Sequence, residues 1–178
     1  MQDNAKELLP IVDEAGHIVG CATRGECHSG SGLLHPVVHL HVFDDSGRIF
    51  LQKRPAWKDI QPDKWDTAVG GHVDYGESID DALRREVREE LGLTVFTPHF
   101  IRRYVFSSNR DRELVHVFAA ITTESPKPSA ETDGGQFFTT EEIAEKIGTH
   151  FFTPNFEGEY QDIILPWVKQ QEINKQKT

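Results

Sequence analysis

One segment constrains the fold more than any other, a helix that begins after Ser78 and ends at Gly92. Ser78 followed by Asp81 resembles a capping box, and Gly92 stands where a left-handed C-terminal residue is expected. Between these ends, apolar side chains recur at every fourth position and form one stripe along the helix: Ile79, Leu83, Val87 and Leu91. The spacing predicts that this helix packs one face onto the core of the protein.

Three carboxylates, those of Glu86, Glu89 and Glu90, are crowded into one turn of the same helix. Like charges four residues apart, as at Glu86 and Glu90, destabilise a helix by about 0.2–0.5 kcal/mol. The ordinary interpretation is a solvated acidic face that neighbouring arginines neutralise. However, the helical angle places the glutamates beside the apolar stripe, where an unpaired charge is costly. This placement favours a bound hard cation, Mg²⁺ or alternatively Mn²⁺, held by oxygen ligands.

Composition and charge limit the organisation of the chain and its partners. The 178 residues, 37% of them hydrophobic, suit a single domain over residues 1–170 with a flexible polar tail at 171–178. The net charge of -10 argues against a nucleic-acid polymer or an anionic membrane as partner and favours a small ligand. The sequence has no apolar run of membrane-spanning length and no signal-peptide pattern at its start. We therefore expect a cytoplasmic protein with free thiols at Cys21 and Cys27.

Hydrophobic periodicity outside this helix predicts mainly strands. A first hairpin covers about residues 8–24, and HPVVHLHVF and RIFLQKR form a second hairpin with its turn at 44–47. We predict further strands at 67–69, 95–106 and 114–122, a loop at 124–135, and helices at 140–147 and about 156–170. Pro166 should kink or locally break the last helix. The order of the elements predicts an α+β fold or mixed sandwich rather than alternating βαβ units.

The second hairpin carries three of the nine histidines of the chain on its first strand. The alternation in HPVVHLHVF places Val38, Leu40 and Val42 on one face of the sheet. His39 and His41 fall on the opposite face, where we expect them simply to line the sheet.

The stretch GGHVDYGESIDDALRREVREELGL carries a more specific pattern. It resembles the box of the Nudix hydrolase family, G-x5-E-x7-R-E-U-x-E-E-x-G-U with U an aliphatic residue, and it fits every position from Gly71 to Leu93. The resemblance implies an α/β/α sandwich around a mixed β-sheet. It also implies Mg²⁺-dependent hydrolysis of a small-molecule diphosphate substrate.

Site residues follow from the resemblance position by position. It implies that the metal is held by the backbone carbonyl of Gly71 and by Glu86, Glu89 and Glu90. Arg85 would orient the glutamates, and Glu77 would support the join between the loop and the helix. The general base stays open between a carboxylate of the box and one outside it, for which the candidates are Glu113 and Glu131.

A narrower resemblance, to type 1 isopentenyl diphosphate isomerase, extends on both sides of the box. The metal site of that enzyme uses histidines and acidic residues, and the residues at matching places would form a second cation site: His28, His35, His72, Asp111 and Glu113. The isomerase acts through a cysteine where this sequence has Gly70, and through a tryptophan where it has Asn155. Hydrolysis is therefore favoured, with isomerase-like chemistry and a catalytically silent binding module as alternatives.

Basic residues after the second hairpin are candidates for binding substrate phosphates. They are Lys53, Arg54 and Lys58, although QKRPAWK also fits a solvated strand end. Trp57, Trp65 and Phe106 fit either stacking on a base or a place in the core. The N-terminal hairpin and the C-terminal helix lie outside the central motif and are available to cover a sheet edge or to form a homodimer.

Overall fold

The fold has three layers, with a mixed β-sheet between two layers of helices. In the computed structural model, residues 4–58, 61–130 and 132–176 are described. The strands are β1 (Leu8–Val12), β2 (Ile18–Thr23), β3 (Leu34–Phe43), β4 (Ile49–Lys53), β5 (Trp65–Thr67), β6 (Val69–His72), β7 (His99–Ser107), β8 (Arg112–Ile121) and β9 (Gly135–Phe138). The helices are α1 (Arg24–Cys27), α2 (Ile79–Leu91), α3 (Thr140–Lys146), α4 (Pro154–Glu159) and α5 (Leu165–Gln176), with a π-helical turn (Tyr160–Ile164) between the last two.

Strand β3 lies at the centre of the main sheet. It pairs in parallel with β8 along its whole length, and on its other side it pairs antiparallel with β4 and β6. Strands β5 and β9 both pair with β4, and β7 pairs with β8. The mixed sheet confirms the predicted α+β fold. The parallel register places His35 of β3 opposite Glu113 of β8.

The two faces of the sheet bury different helices. Val38, Leu40 and Val42 of β3 pack with the apolar stripe of α2. On the opposite face, Val37 and Phe43 pack with a cluster contributed by α3, α4 and the π-helical turn. The predicted alternation along β3 is confirmed, and as a result the two faces of this strand pack against different helical layers.

Helix α2 has the predicted boundaries because its ends are fixed by local hydrogen bonds. The Ser78 hydroxyl accepts from the backbone N–H of Asp81, and Gly92 ends the helix with a φ of 63°. A positive φ is readily adopted only by glycine, which explains the residue at this end. The helix that carries Glu86, Glu89 and Glu90 thus begins and ends at fixed residues.

Several elements differ from the predictions. Gly135–Phe138 forms β9, at the end of the segment predicted as a loop, and the short helix α1 lies in the Gly- and Ser-rich segment after the first hairpin. The strand predicted at 67–69 falls at the junction of β5 and β6. Pro166 interrupts the last helix less than expected, because the π-helical turn precedes it and α5 continues to Gln176, past the predicted end near residue 170. Within the described residues, no helix has the length and hydropathy needed to cross a membrane.

Candidate active site

A polar cavity of about 300 Å³ opens where β3, β4, β6 and the C-terminal part of α2 meet. Its described lining is dominated by charged and polar side chains and glycine backbone: Val37, His39, Gln52, Lys53, Arg54, Pro55, Lys58, Asp66, Thr67, Gly70, Gly71, His72, Glu90, Glu113, Ser129, Thr132 and Asn155. None of these described lining residues is Phe, Tyr or Trp. Trp65 and Phe106 pack against the core and Trp57 is exposed, so none of these three rings is placed to stack on a base in the cavity.

The first glycine of the box has no room for a side chain. A Cβ placed on Gly71 would overlap the carboxyl group of Glu86, which lies against the backbone of β6. Any other residue at this position would push Glu86 away. The glycine therefore allows a carboxylate of α2 and the peptide backbone of β6 to face the same small volume, as a cation with oxygen ligands requires.

Arg85 holds the glutamates of the box in place. Its Nε and Nη2 donate to both oxygens of Glu77 at 3.0 and 2.8 Å, and its Nη1 donates to Glu86 at 2.7 Å. Nη2 also donates to the backbone carbonyl of His72 at 3.0 Å. Glu77 in turn accepts from the backbone N–H of Asp74 at 3.1 Å, which ties the loop to the helix. One guanidinium thus joins α2, the preceding loop and the end of β6 through charge-assisted hydrogen bonds.

Glu90 is the most perturbed carboxylate of the box. It accepts a hydrogen bond from Gln52 Nε2 at 2.7 Å and lines the cavity. Burial, followed by the charge of Glu86, raises the pKa of Glu90 to about 8. Burial also raises the pKa of Glu86. Two half-buried carboxylates that repel each other form a site that a divalent cation would stabilise, so the donor set fits the metal that the sequence predicts.

Glu89 differs from the other two glutamates in its exposure. Its side chain is 55% exposed, and its carboxylate lies 3.5 Å from Arg85 Nη1. The carboxylate of Glu89 therefore stands at the rim of the site, beside Arg85, whereas Glu86 lies against Gly71 and Glu90 lines the cavity.

Three histidines and one glutamate form a second cluster at the other side of Gly71. One ligand atom from each of His28, His35, His72 and Glu113 lies within 4.8 Å of the others. Nε2 of His28 and Nε2 of His72 are 2.9 Å apart, and the three rings lie 5.0–5.4 Å from one another. Asp111, predicted as a further ligand, instead pairs with Nδ1 of His28 on the outer side of the ring. This is the place of a residue that orients a metal-binding histidine.

The protonation of the cluster suits a metal site. His35 Nδ1 contacts the carbonyl of Leu33 at 3.2 Å, and its buried Nε2 has no hydrogen-bond partner among the described residues. Burial lowers the pKa of His35, and burial together with nearby positive charge lowers that of His72. A neutral imidazole whose buried nitrogen has no hydrogen-bond partner and lies close to other ligand atoms suits a transition-metal ion or Zn²⁺.

Removal of one of these rings should weaken metal binding without harming the fold. We expect His35→Gln to raise the Kd for Zn²⁺ or Mn²⁺ by at least about tenfold, because a ligand with a preset orientation is lost. The measurement is isothermal titration calorimetry on metal-stripped protein. His116→Gln is the matched control, since His116 is also buried on the sheet but contacts backbone carbonyls of Val37 and Leu114 instead. Equal affinities of wild type and His35→Gln would contradict a metal site here.

The basic residues predicted for the substrate all line the cavity. Lys53 Nζ lies 3.5 Å from Asp63 and 3.7 Å from Asp133, and Arg54 pairs with Asp66 at 3.2 Å. Lys58 Nζ lies 5.1 Å above the ring of Trp57. These cations line the same cavity as Glu90 of the box, as expected for groups that would bind the phosphates.

Gln52 and His39 belong to the site although the sequence did not identify them as site residues, and one predicted candidate lies outside the described residues. Gln52 donates a hydrogen bond to Glu90. The sequence contains a signal for this role, because Gln52 lies two residues after the buried Phe50, on the same face of the strand, so its polar side chain points toward the core. His39, predicted only to line the sheet, reaches the cavity. Of the candidates for the general base outside the box, Glu113 lines the cavity and Glu131 lies outside the described residues.

Comparison with known proteins gives one consistent result. The NUDIX domain model matches residues 33–160. An uncharacterised Nudix hydrolase of Streptomyces coelicolor is 34% identical over 158 residues, which cover 87% of each chain. A protein named isopentenyl-diphosphate Delta-isomerase from Mycolicibacterium vanbaalenii is 28% identical over 96% of this chain and 92% of its own.

Structural comparison agrees. A Deinococcus radiodurans protein of known crystal structure superposes with a TM-score of 0.66 and 25% identity, covering 80% of this chain and 90% of its own. Residues 33–160, which the NUDIX domain model matches, contain the intact box, the main sheet and the described lining residues of the cavity. The chain therefore belongs to the Nudix family.

Proposed function

We propose that this protein is a Mg²⁺-dependent hydrolase that cleaves a diphosphate linkage in a small substrate. The observation that carries the proposal is the pair of inward-facing carboxylates, Glu86 and Glu90, set against the glycine backbone of β6. Glu90 lines the same cavity as Lys53, Arg54 and Lys58, and Glu86 lies against the backbone of Gly71, which lines it too. The opposed acidic and basic groups fit a cation and a phosphate chain respectively.

Each residue has a distinct task in this proposal. Gly71, Glu86, Glu90 and the rim residue Glu89 would hold the cation, which when bound neutralises phosphate charge and makes water a stronger nucleophile. Arg85 fixes the direction of Glu86 through the hydrogen bonds described above. Gln52 orients Glu90 from the opposite strand. The basic side chains would bind the phosphate oxygens that point away from the cation.

The histidine cluster favours a second candidate, isomerase-like chemistry, because it matches the positions of the isomerase metal site. The two curated relatives described above carry different names: one is an uncharacterised Nudix hydrolase and the other an isopentenyl-diphosphate Delta-isomerase. The cysteines argue for hydrolysis, because Cys21 is exposed, Cys27 is buried, and neither is among the described residues that line the cavity. With Gly70 at the place of the isomerase cysteine, no thiol can protonate a carbon in the substrate.

A release assay separates the two functions. Purified protein is incubated with Mg²⁺ and each of four substrate classes: nucleoside diphosphates, nucleoside diphosphate sugars, dinucleotide cofactors and isopentenyl diphosphate. Phosphate and nucleoside monophosphate are quantified by chromatography, and the isoprenoid products are identified by mass spectrometry after separation. We expect release that depends on the metal from at least one class.

The outcomes have different meanings. Release that is lost with EDTA supports hydrolysis and names the substrate class. Conversion of isopentenyl diphosphate into its allylic isomer without release of phosphate would overturn the proposal in favour of isomerisation. Silence toward every substrate, while the protein still binds Mg²⁺, would count against catalysis and for a binding role of the same fold.

A further inference from the structure

A second polar network lies beneath the cavity, between the sheet and α4. At its centre is Glu159, the last residue of α4, which is only 4% exposed. Its carboxylate accepts hydrogen bonds from Nδ1 of His39 at 2.8 Å, Nε2 of His41 at 2.6 Å and the Tyr104 hydroxyl at 2.9 Å. Burial alone would raise the pKa of Glu159, but the charge of His39 and the bonds from both histidines hold it well below its usual range. The network is therefore built around a buried anion.

One member of this network reaches the cavity. His39 lines it, whereas His41, Tyr104 and Glu159 are not among its described lining residues. The edge of the His39 ring that is opposite Glu159 faces Gly70, because a Cβ built on that glycine would stand 3.5 and 3.6 Å from Cδ2 and Nε2. No described residue has a hydrogen bond to Nε2. This nitrogen thus borders the cavity, and its ring is fixed from behind by a carboxylate.

The surroundings of His39 determine its charge. Burial favours the neutral ring, but the charge of Glu159 and its hydrogen bond outweigh this effect and raise the pKa of His39 to about 9. The other charged groups that act on the ring, Glu113 on β8 and Asp66 on β5, are also carboxylates. At neutral pH both ring nitrogens carry a proton, so Nε2–H is a charged donor directed to the cavity.

Building on the proposed hydrolase function, we propose that His39 is a substrate-contacting residue whose Nε2–H donates to a phosphate oxygen of the diphosphate, with Glu159 as its positioning residue. The ring stands on the floor of the cavity, whereas the lysines and the arginine come from β4 and the loop after it. A diphosphate held between them would contact cations from two directions. The hydrogen bond is charge-assisted, which makes it stronger than a neutral one.

The chain offers a matched pair of variants for testing this role. His39→Gln and His41→Gln each remove one donor to Glu159, but only His39 reaches the cavity. The probe is inorganic pyrophosphate, titrated by calorimetry into metal-free protein in EDTA. We expect His39→Gln to raise the Kd for pyrophosphate about tenfold, the effect of losing a hydrogen bond to a charged group. We expect His41→Gln to stay within about twofold of wild type, whatever its effect on thermal stability.

The positioning role of Glu159 needs a separate readout. In wild-type protein, nitrogen NMR of the histidine rings should show His39 protonated on both nitrogens, with an Nε2 signal that moves when pyrophosphate is added. In Glu159→Gln the doubly protonated signal should be lost at pH 7.5 and the affinity should fall as in His39→Gln. A merely structural Glu159 would lower the melting temperature and leave both the signal of His39 and the affinity unchanged.

Either of two results would overturn the inference: equal affinity of wild type and His39→Gln for pyrophosphate, or no detectable binding by the wild type in EDTA. Neither result depends on turnover. If pyrophosphate binding depends on His39 but no substrate is hydrolysed, the hydrolase proposal fails and the anion contact stands. If His39→Gln and His41→Gln hydrolyse substrates equally well, the hydrolase proposal stands and the proposed contact of His39 with phosphate fails.

Discussion

Replacing Glu90 by Gln is expected to reduce metal-dependent hydrolysis about a thousandfold and at the same time to stabilise the metal-free protein. The loss of activity follows because Gln cannot supply the negative charge that the cation requires, although it keeps the shape of the side chain. The measurement is kcat/KM on the substrate class found in the release assay, at saturating Mg²⁺.

The gain in stability follows from the raised pKa of Glu90. A carboxyl whose pKa is about 8 in the folded protein and 4.5 ordinarily is harder to ionise when folded. The folded protein therefore loses stability as the pH rises from about 4.5 to 8, and Gln removes this loss. We expect Glu90→Gln to be more stable by about 4 kcal/mol at pH 8 in EDTA, or about 10 °C in Tm, and indistinguishable at pH 4.5.

Asp80→Asn is the control for this experiment. Asp80 is on the same helix, is 62% exposed and pairs with Arg84, away from the cavity. Asp80→Asn removes one negative charge outside the site. We therefore expect kcat/KM to equal that of the wild type, and the difference in stability between this variant and the wild type not to increase with pH. Retention of full activity by Glu90→Gln would exclude Glu90 as a metal ligand.

Replacing Arg85 by Ala is expected to lower both stability and activity. The change leaves Glu77 and Glu86 without their donor, and the Glu86 side chain is only 13% exposed. Breaking a buried ion pair by removing one partner costs about 3–5 kcal/mol, and the partial exposure of Arg85, at 23%, reduces this to about 2–3 kcal/mol. The expected decrease in Tm is about 5–10 °C, measured by calorimetry.

The activity of Arg85→Ala should fall beyond what the stability explains. At a temperature well below the melting transition, kcat should still be about a hundredfold lower, because Arg85 no longer holds Glu86 against the backbone of Gly71. Arg84→Ala is the matched control: Arg84 is the preceding residue, 49% exposed, and bonded to Asp80. If both variants kept wild-type kcat at that temperature, Arg85 would have a purely structural role.

The parts of the fold predicted from the sequence are those whose signals are local. The ends of α2 depend on residues within one turn, namely Ser78 with Asp81 and the glycine at 92, and the alternation along β3 spans ten residues. Strand β9 escaped prediction because it forms only by pairing with β4, about eighty residues earlier, and its own sequence begins at the end of a loop-like segment.

The site shows the same division. The residues of the box lie within one helix and the segment just before it, so their spacing in the sequence is enough to identify them. The contact of Glu159 with His39 and His41 joins positions about 120 residues apart, and no local periodicity indicates it. The histidine cluster was found in advance only through the family resemblance, since β3, β6, β8 and the segment after α1 bring its members together.

The adjacency of Gly71 and His72 links the two clusters energetically. Gly71 packs against Glu86, and the ring of His72 belongs to the histidine cluster. Arg85 donates a hydrogen bond to the backbone carbonyl of His72. An ion that moves Gly71 or His72 also moves the backbone that joins these two residues. Any change that one ion made in the affinity of the other would be matched by the same factor in the opposite direction, so one measured coupling would describe both centres.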